Sequence, residues 1–199
     1  MSPSSPVAVI STKVRHRQNQ TRRRLLEQSA ALFIARGFEN VSVEDILSAT
    51  GIARSSFYRF FPNREALLAD IVRPVFERGL AQLNAIPDAS PRQVMVGVFE
   101  VYLSLWERNA DALRVATRIG GVYFSLFEDV HGEFRRALVQ LVGRVHPAGI
   151  LLNDDADYSA RLIARVAVPI LEVFSASPDH CRLFTAAMEG LLLKPEVES

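Results

Sequence analysis

VEDILSATGIARSSFYRFF, Val43–Phe61, is the stretch on which the fold turns. Ser42 precedes it and Asp45 follows three residues later, an S-x-x-D box that caps a helix with Ile46 and Leu47 on its buried side. Gly51 breaks that helix. Gly51-Ile52-Ala53 is then a short turn in which glycine tolerates a left-handed backbone and Ile52 can plug the angle between two helices. A second helix starts at Arg54. On it Phe57, Phe60 and Phe61 share one face by their i, i+3, i+4 spacing, while Ser55, Tyr58 and Arg59 share another with Arg54 alongside. One face packs. The other offers groups that hydrogen-bond base edges (Ser, Arg) and reach phosphates (Tyr, Arg), which suits a helix entering the DNA major groove. The bland alternative is an ordinary amphipathic helix pair, since such hairpins also occur in proteins that never touch DNA.

The longer stretch TRRRLLEQSAALFIARGFENVSVEDILSATGIARSSFYRFFPNREALL, Thr21–Leu68, resembles the three-helix DNA-binding domain of the TetR/AcrR family of bacterial transcription regulators. The resemblance rests on the GF after the first helix, the [ST]-V-x-D-I start of the second, and the F-Y-x-F-F-P-[NS]-[KR]-E-A-L run. It covers about a quarter of the chain. Three positions depart from the family pattern: Ala53 replaces a capping Ser or Thr, Arg59 a commoner His, and Arg23 a frequent acidic residue. What the resemblance implies is an all-α, TetR-like fold of about nine helices. Its expected parts are a basic flexible arm over residues 1–20, a helix-turn-helix domain over 21–68, and a helical ligand-binding and dimerisation domain over 69–199. The DNA-facing set expected from residues and resemblance together is Arg22, Arg23, Ser42, Val43, Arg54, Ser55, Ser56, Tyr58, Arg59 and Arg64.

Arg64 has its own argument. A cation in the first turn of a helix opposes the positive end of the dipole, so an anion should compensate it. Asn63 can cap that helix after Pro62, and the free N–H groups with Arg64 make a plausible phosphate clamp. The family resemblance implies the same role.

Charge follows the same division. Of 23 Lys/Arg and 22 Asp/Glu, residues 1–70 hold ten and six, giving +4, which leaves 13 against 16, or −3, for the remainder. Lys13, Arg15 and Arg17 precede Arg22, Arg23 and Arg24 with no acid among them, as in an arm that follows phosphates or a minor groove, or in a merely solvated tail. With 49% hydrophobic residues the chain can bury a substantial core. The single Cys181 excludes an internal disulfide framework and suggests an inert buried thiol in a reducing compartment. No window approaches the roughly 18 apolar residues of a membrane helix, and Val7–Ile10 is too short for a signal-peptide core. A cytoplasmic protein with no membrane partner is expected.

Beyond the head, periodicity stays helical. A helix from Arg64 toward Leu83 contains Pro74, which removes a ladder bond and should kink it. Ser90, Pro91 and Gln93 open a helix to about Arg108; further helices are expected over Ala110–Ile119, ended by Gly120-Gly121, and over Val122–Val145. Asp154 and Asp155 start another, and Ser177-Pro178 the last.

Aromatic stripes at helical spacing mark the second domain: Met95, Phe99, Tyr102, Leu103 and Trp106 on one helix, Tyr123, Phe124, Phe127 and Phe134 on another. Such stripes are usually plain core, but a cavity between helices is a common small-molecule site, and the resemblance implies an inducer held here. Arg118 and Glu172 could orient a hydrophobic or amphipathic ligand, as could Glu100 and Tyr158. Glu128 and His131 have the i, i+3 spacing of a helical metal site, yet nothing completes the shell, so no metal or other cofactor is expected. No phosphate-binding glycine loop follows a strand and no G-x-S-x-G elbow occurs, so nothing argues for an enzyme.

One recognition helix reads few base pairs, whereas a two-fold dimer sets two of them about 34–36 Å apart. Leu162, Val166, Pro169, Ile170 and Val173, with Leu183, Ala187, Gly190 and Leu191, are the expected interface on the last two helices, tipped by the resemblance, since most of these could also cover their own core. The resulting expectation is a homodimeric repressor of a near-palindromic double-stranded operator, released by a small-molecule inducer. Rival readings are a DNA-organising or partner-controlled protein without an inducer, and a helical enzyme.

Overall fold

The structure is a computed structural model that describes residues 6–119 and 121–195, with side chains from Val14 onward. Eight α-helices, three short 3-10 segments and one isolated bridge between Leu151 and Leu193 make up the described residues, with no strand among them. The chain divides into two compact units between Ile71 and Val72.

The first unit contains α1 (Pro6–Arg36), α2 (Val43–Thr50), α3 (Arg54–Phe60) and the first part of α4 (Arg64–Asn84). Helix α1 differs from the expected arm, because residues 6–20 are already helical. Between Pro6 and Gly37 no glycine or proline interrupts the chain, and its Arg, Gln, Leu and Ala residues favour helix. Within this stretch the Thr21 hydroxyl donates to the Arg17 carbonyl at 2.9 Å, and the side chains of residues 14–20 are exposed. Residues 1–5 of the expected arm, and the side chain of Lys13, lie outside the described residues. The core of this unit is Leu25, Phe33, Phe38, Val41, Ile46, Phe57, Phe61, Leu67 and Leu68, all buried.

The second unit contains the rest of α4, then α5 (Pro91–Arg118), α6 (Glu128–Val145), α7 (Ala156–Phe174) and α8 (His180–Leu192). Helix α7 packs against α5, α6 and α8. The two helices expected on either side of Asn109 run on as one element, α5, kinked at that residue by a non-helical backbone (φ −163°, ψ 78°). Asn109 restarts the helix there by accepting from the Ala112 N–H at 3.0 Å, so the expected boundary is kept although the elements number eight. Two other boundaries differ from the sequence reading. Gly121–Phe127 is a 3-10 segment, so α6 begins at Glu128 instead of Val122; β-branched and aromatic residues there lose side-chain freedom in an α-helix. Gly120, expected to end the preceding helix, lies outside the described residues. Helix α8 starts at His180, since the Ser177 hydroxyl accepts the Asp179 N–H (3.2 Å) and its carbonyl the His180 N–H (3.2 Å), closing a turn first. Pro74 stands inside α4 without ending it.

Candidate functional site

Helix α2 starts as its sequence requires. Ser42 Oγ accepts the Asp45 N–H at 3.1 Å while the Asp45 carboxylate accepts the Ser42 N–H at 2.8 Å, a closed capping box. Arg36 from α1 adds a 2.9 Å ion pair, and the Ser42 hydroxyl with this guanidinium holds the Asp45 carboxyl down at about 2. Gly51 ends the helix in the left-handed region (φ 64°, ψ 23°), where a side chain would be strained, and its N–H closes on the Leu47 carbonyl at 2.9 Å. Ala53 gives α3 no side-chain cap, as its departure from the family pattern predicts.

On α3 the two faces separate. Phe57 and Phe61 are buried in the unit, with Phe60 half-buried, whereas Arg54, Ser55, Tyr58 and Arg59 are exposed and Ser56 is half-buried. Arg54 pairs with Glu44 of α2, so a carboxylate sits beside the first arginine of α3. The Arg59 guanidinium lies 5.1 Å from the Phe60 ring centre. Arg22 pairs with Asp70 at 2.5 Å, and Arg23, largely exposed, with Glu27 at 2.6 Å. Val43 is half-buried at the start of α2.

Two expected DNA contacts have other employment. The Ser42 hydroxyl is committed to its cap. Arg64 turns inward: Nη1 donates to the carbonyls of Phe38 (3.0 Å) and Val41 (2.6 Å), and the guanidinium stacks 4.5 Å over the Phe38 ring. Its Nε meets Glu65 at 3.1 Å. Arg64 therefore ties the start of α4 to the turn between α1 and α2, and the anion that its place at a helix start calls for is supplied by carbonyl oxygens and a neighbouring carboxylate. Asn63 caps α4 as expected, accepting the Ala66 N–H at 2.8 Å.

The second unit holds a cavity of about 430 Å³ between α4, α5, α6 and α7. Its apolar wall comes from Val75 and Phe76, Leu105, Leu113 and Ala116, Phe124, Phe134 and Leu138, and Val168. Tyr102 and His131 bring polar groups into it, and Thr117, Arg118, Arg135, Arg165 and Glu172 add to the lining along with Ala164 and Pro169. The Tyr102 hydroxyl has no hydrogen-bond partner among the described residues, and burial raises its pKa. His131 meets Phe76 edge-on and Phe124 at a tilt, with ring centres 4.9 and 4.5 Å away. Burial, then the nearby Arg135, lowers the pKa of this imidazole, favouring its neutral form. Glu172 bridges Arg114 (2.9 Å) and Arg118 (2.8 Å).

Of the expected ligand residues, Tyr102, Arg118, Phe124 and Glu172 line this cavity. Met95, Phe99 and Phe127 are fully buried in the core, and Trp106, also buried, stacks under the Arg114 guanidinium at 4.5 Å. Leu103 and Tyr123 are half-buried outside the lining. Periodicity finds the buried stripe of a helix but does not say which part of it faces a void. Phe76, His131 and Phe134 meet in that void, and only the packing of α4 on α6 shows it.

Residues 25–71 match the family model for bacterial regulatory proteins of the tetR family. Over that stretch the chain carries this family's DNA-binding domain. The HTH-type transcriptional repressor KstR2 of Mycobacterium tuberculosis is 28% identical over 156 residues, which cover 73% of this chain and 76% of KstR2. The HTH-type transcriptional regulator TcmR of Streptomyces glaucescens is 29% identical over 126 residues, 63% of this chain but only 49% of TcmR, so the match spans about half of that relative. Among solved structures, that of KstR2, described as a ketosteroid transcriptional regulator, superposes with a TM-score of 0.70 over 87% of this chain and 95% of its own, at 23% identity. PfmR of Thermus thermophilus, a TetR-family regulator, gives 0.69 over 88% and 97%, at 18% identity. With this domain and these relatives, the chain is a DNA-binding transcriptional regulator and not an enzyme. None of its described helices is long and apolar enough to cross a membrane.

The last two helices also carry an apolar face. On α7, Ile163, Ala167, Val168 and Leu171 are buried, while Leu162, Val166 and Ile170 are half-buried and Val173 is 76% exposed. On α8, Phe184, Met188 and Leu192 are buried, Leu183 and Ala187 half-buried, and Gly190 and Leu191 exposed. Every expected interface residue thus lies off the buried face of its helix. Pro169, grouped with them by sequence, lines the cavity.

Proposed function

We propose that this regulator is a homodimeric repressor that occupies a near-palindromic operator and leaves it when a small amphipathic ligand fills the cavity of the second unit. The observation that carries the reading is one chain with two kinds of surface: a recognition helix whose polar face is outward, and an apolar cavity of about 430 Å³ with isolated polar groups. That volume lies in the usual range for small-molecule sites, roughly 300–1,000 Å³. Its wall suits an apolar body, and Arg118, Arg135 and Arg165 suit a polar or anionic end. Dimerisation through α7 and α8 would cover an apolar face and pair two recognition helices about one turn of DNA apart. Release requires the ligand to favour the state that binds operator poorly.

A footprint of the purified protein on DNA flanking its own gene, with competitor DNA, tests the reading. A protected near-palindrome, cleared by an apolar compound that binds the cavity, is the expected result. Uniform salt-sensitive coating would replace it with a DNA-organising role, and protection indifferent to every cavity ligand with control by a partner.

A further inference from the structure

Cys181 is the only cysteine, and it is not a plain core thiol: it is half-buried at the start of α8, beside His180 and opposite Glu107 of α5. One donor atom from each of the three side chains lies within 4.8 Å of the other two. Cys181 Sγ is 3.4 Å from His180 Nε2 and 3.7 Å from Glu107 Oε1. A tetrahedral ion with zinc–sulfur bonds of about 2.3 Å and zinc–nitrogen or –oxygen bonds of about 2.0–2.1 Å requires sulfur edges of roughly 3.5 Å. The two sulfur edges are already of that size.

The imidazole is also set for metal. His180 Nδ1 lies 3.1 Å from the Ser177 carbonyl oxygen, which can only accept, so Nδ1 carries the proton and donates it. A neutral ring then leaves the lone pair on Nε2, the nitrogen that faces the sulfur. A ring fixed through its other nitrogen on a backbone carbonyl is the usual support of a metal-binding histidine. Asp179 takes no part, its carboxylate being paired with Arg182 at 3.3 Å.

We propose that Glu107, His180 and Cys181 bind a divalent transition-metal ion of the zinc class, with the fourth coordination position open to water. Thiolate with imidazole selects such an ion over magnesium or calcium, which take oxygen ligands. Three protein ligands, with Glu107 exposed, leave the ion accessible from solvent. Binding forms a metal–sulfur bond and breaks the S–H bond, the proton leaving to solvent with no change of oxidation state. The ion would clamp the first turn of α8 to α5, two residues before the break at Asn109.

Cobalt(II) titration of the full chain, kept reduced with a non-thiol reductant, tests the assignment. Expected are intense visible bands of a tetrahedral ion and a near-ultraviolet sulfur-to-metal charge-transfer band, saturating at one ion per chain and erased by added zinc. Cys181→Ser should abolish the charge-transfer band, and Glu107→Gln should keep it while weakening affinity by about tenfold or more, as loss of a metal-site partner does. Circular dichroism establishes that both variants are folded. A weak six-coordinate spectrum without charge transfer, or binding unaltered by Cys181→Ser and by His180→Gln, would overturn the site.

Discussion

The guanidinium of Arg64 lies 4.5 Å from the centre of the Phe38 ring while its Nη1 donates to the Phe38 carbonyl at 3.0 Å, so one residue is held by both its ring and its backbone. With the Val41 carbonyl as a second acceptor at 2.6 Å, Arg64 fastens the α1–α2 turn to α4. Hydrogen bonds from a charged group contribute about 1.5–3 kcal/mol, and the group is partly exposed, so Arg64→Ala should destabilise the DNA-binding unit by about 1–2 kcal/mol. Lysine cannot reproduce a stacked fork, so Arg64→Lys should recover less than half of that. Urea midpoints of the three proteins decide it; equal midpoints would return Arg64 to the phosphate backbone.

Asp45 makes the head acid-sensitive. Its carboxyl is held at about 2, below the ordinary 3.8, chiefly by Ser42 and then Arg36. A depressed folded pKa contributes stability that is present above the unfolded value and lost as pH falls through the folded one. Unfolding midpoints should therefore drop between about pH 4 and 2, and Asp45→Asn should flatten that part of the profile. Ser42→Ala, which removes the cap, should cost about 1 kcal/mol at neutral pH.

Glu44 holds Arg54, an expected base-reading residue. Glu44→Gln frees the arginine and removes a negative charge near the phosphates, so operator affinity should rise, most at low salt. Arg54→Ala should lower discrimination between operator and altered sites by about tenfold. Fluorescence anisotropy against both DNAs measures this. An unchanged ratio for Arg54→Ala would remove that residue from base reading.

Gly79 has no room for a methyl group. A Cβ there would come within 2.6 Å of the Phe134 ring and 3.2 Å of Leu105 Cδ1, and both residues line the cavity. Gly79→Ala should cost about 1–3 kcal/mol by overpacking and shift Phe134 into the void, weakening ligand binding. Thermal unfolding and ligand titration should change together.

Val173 tests the dimer. It is 76% exposed in the single chain, so Val173→Asp leaves the protomer's core intact. At a subunit seam the new carboxylate would be desolvated without a partner, raising the dimer dissociation constant by on the order of a hundredfold. Sedimentation equilibrium reads this; an unaltered association state would move the interface elsewhere.

Much of the head was legible because its signals are local. Ser42 with Asp45, Gly51, and Asn63 after Pro62 each announce a backbone hydrogen bond within four residues. Arg64 was not, because its acceptors are carbonyls more than twenty positions earlier, and oxygens of the main chain leave no trace in residue type. The cavity was half legible for the same reason: Tyr102 and Phe124 stand on visible stripes, but His131 becomes a wall residue only through Phe76 of another helix. Cys181 looked inert until α8 set it beside Glu107, 74 positions away.

An apolar cavity into which the Tyr102 side chain brings a polar group makes heat a reporter of identity. A molecule that fills it and satisfies that hydroxyl binds the native state alone, adding about 2.7 kcal/mol at one hundred times its dissociation constant. For a chain of this size each kcal/mol raises the melting temperature by about 2–4 °C. A ligand of this cavity can be sought by melting curves alone, without knowing the operator or the regulated genes.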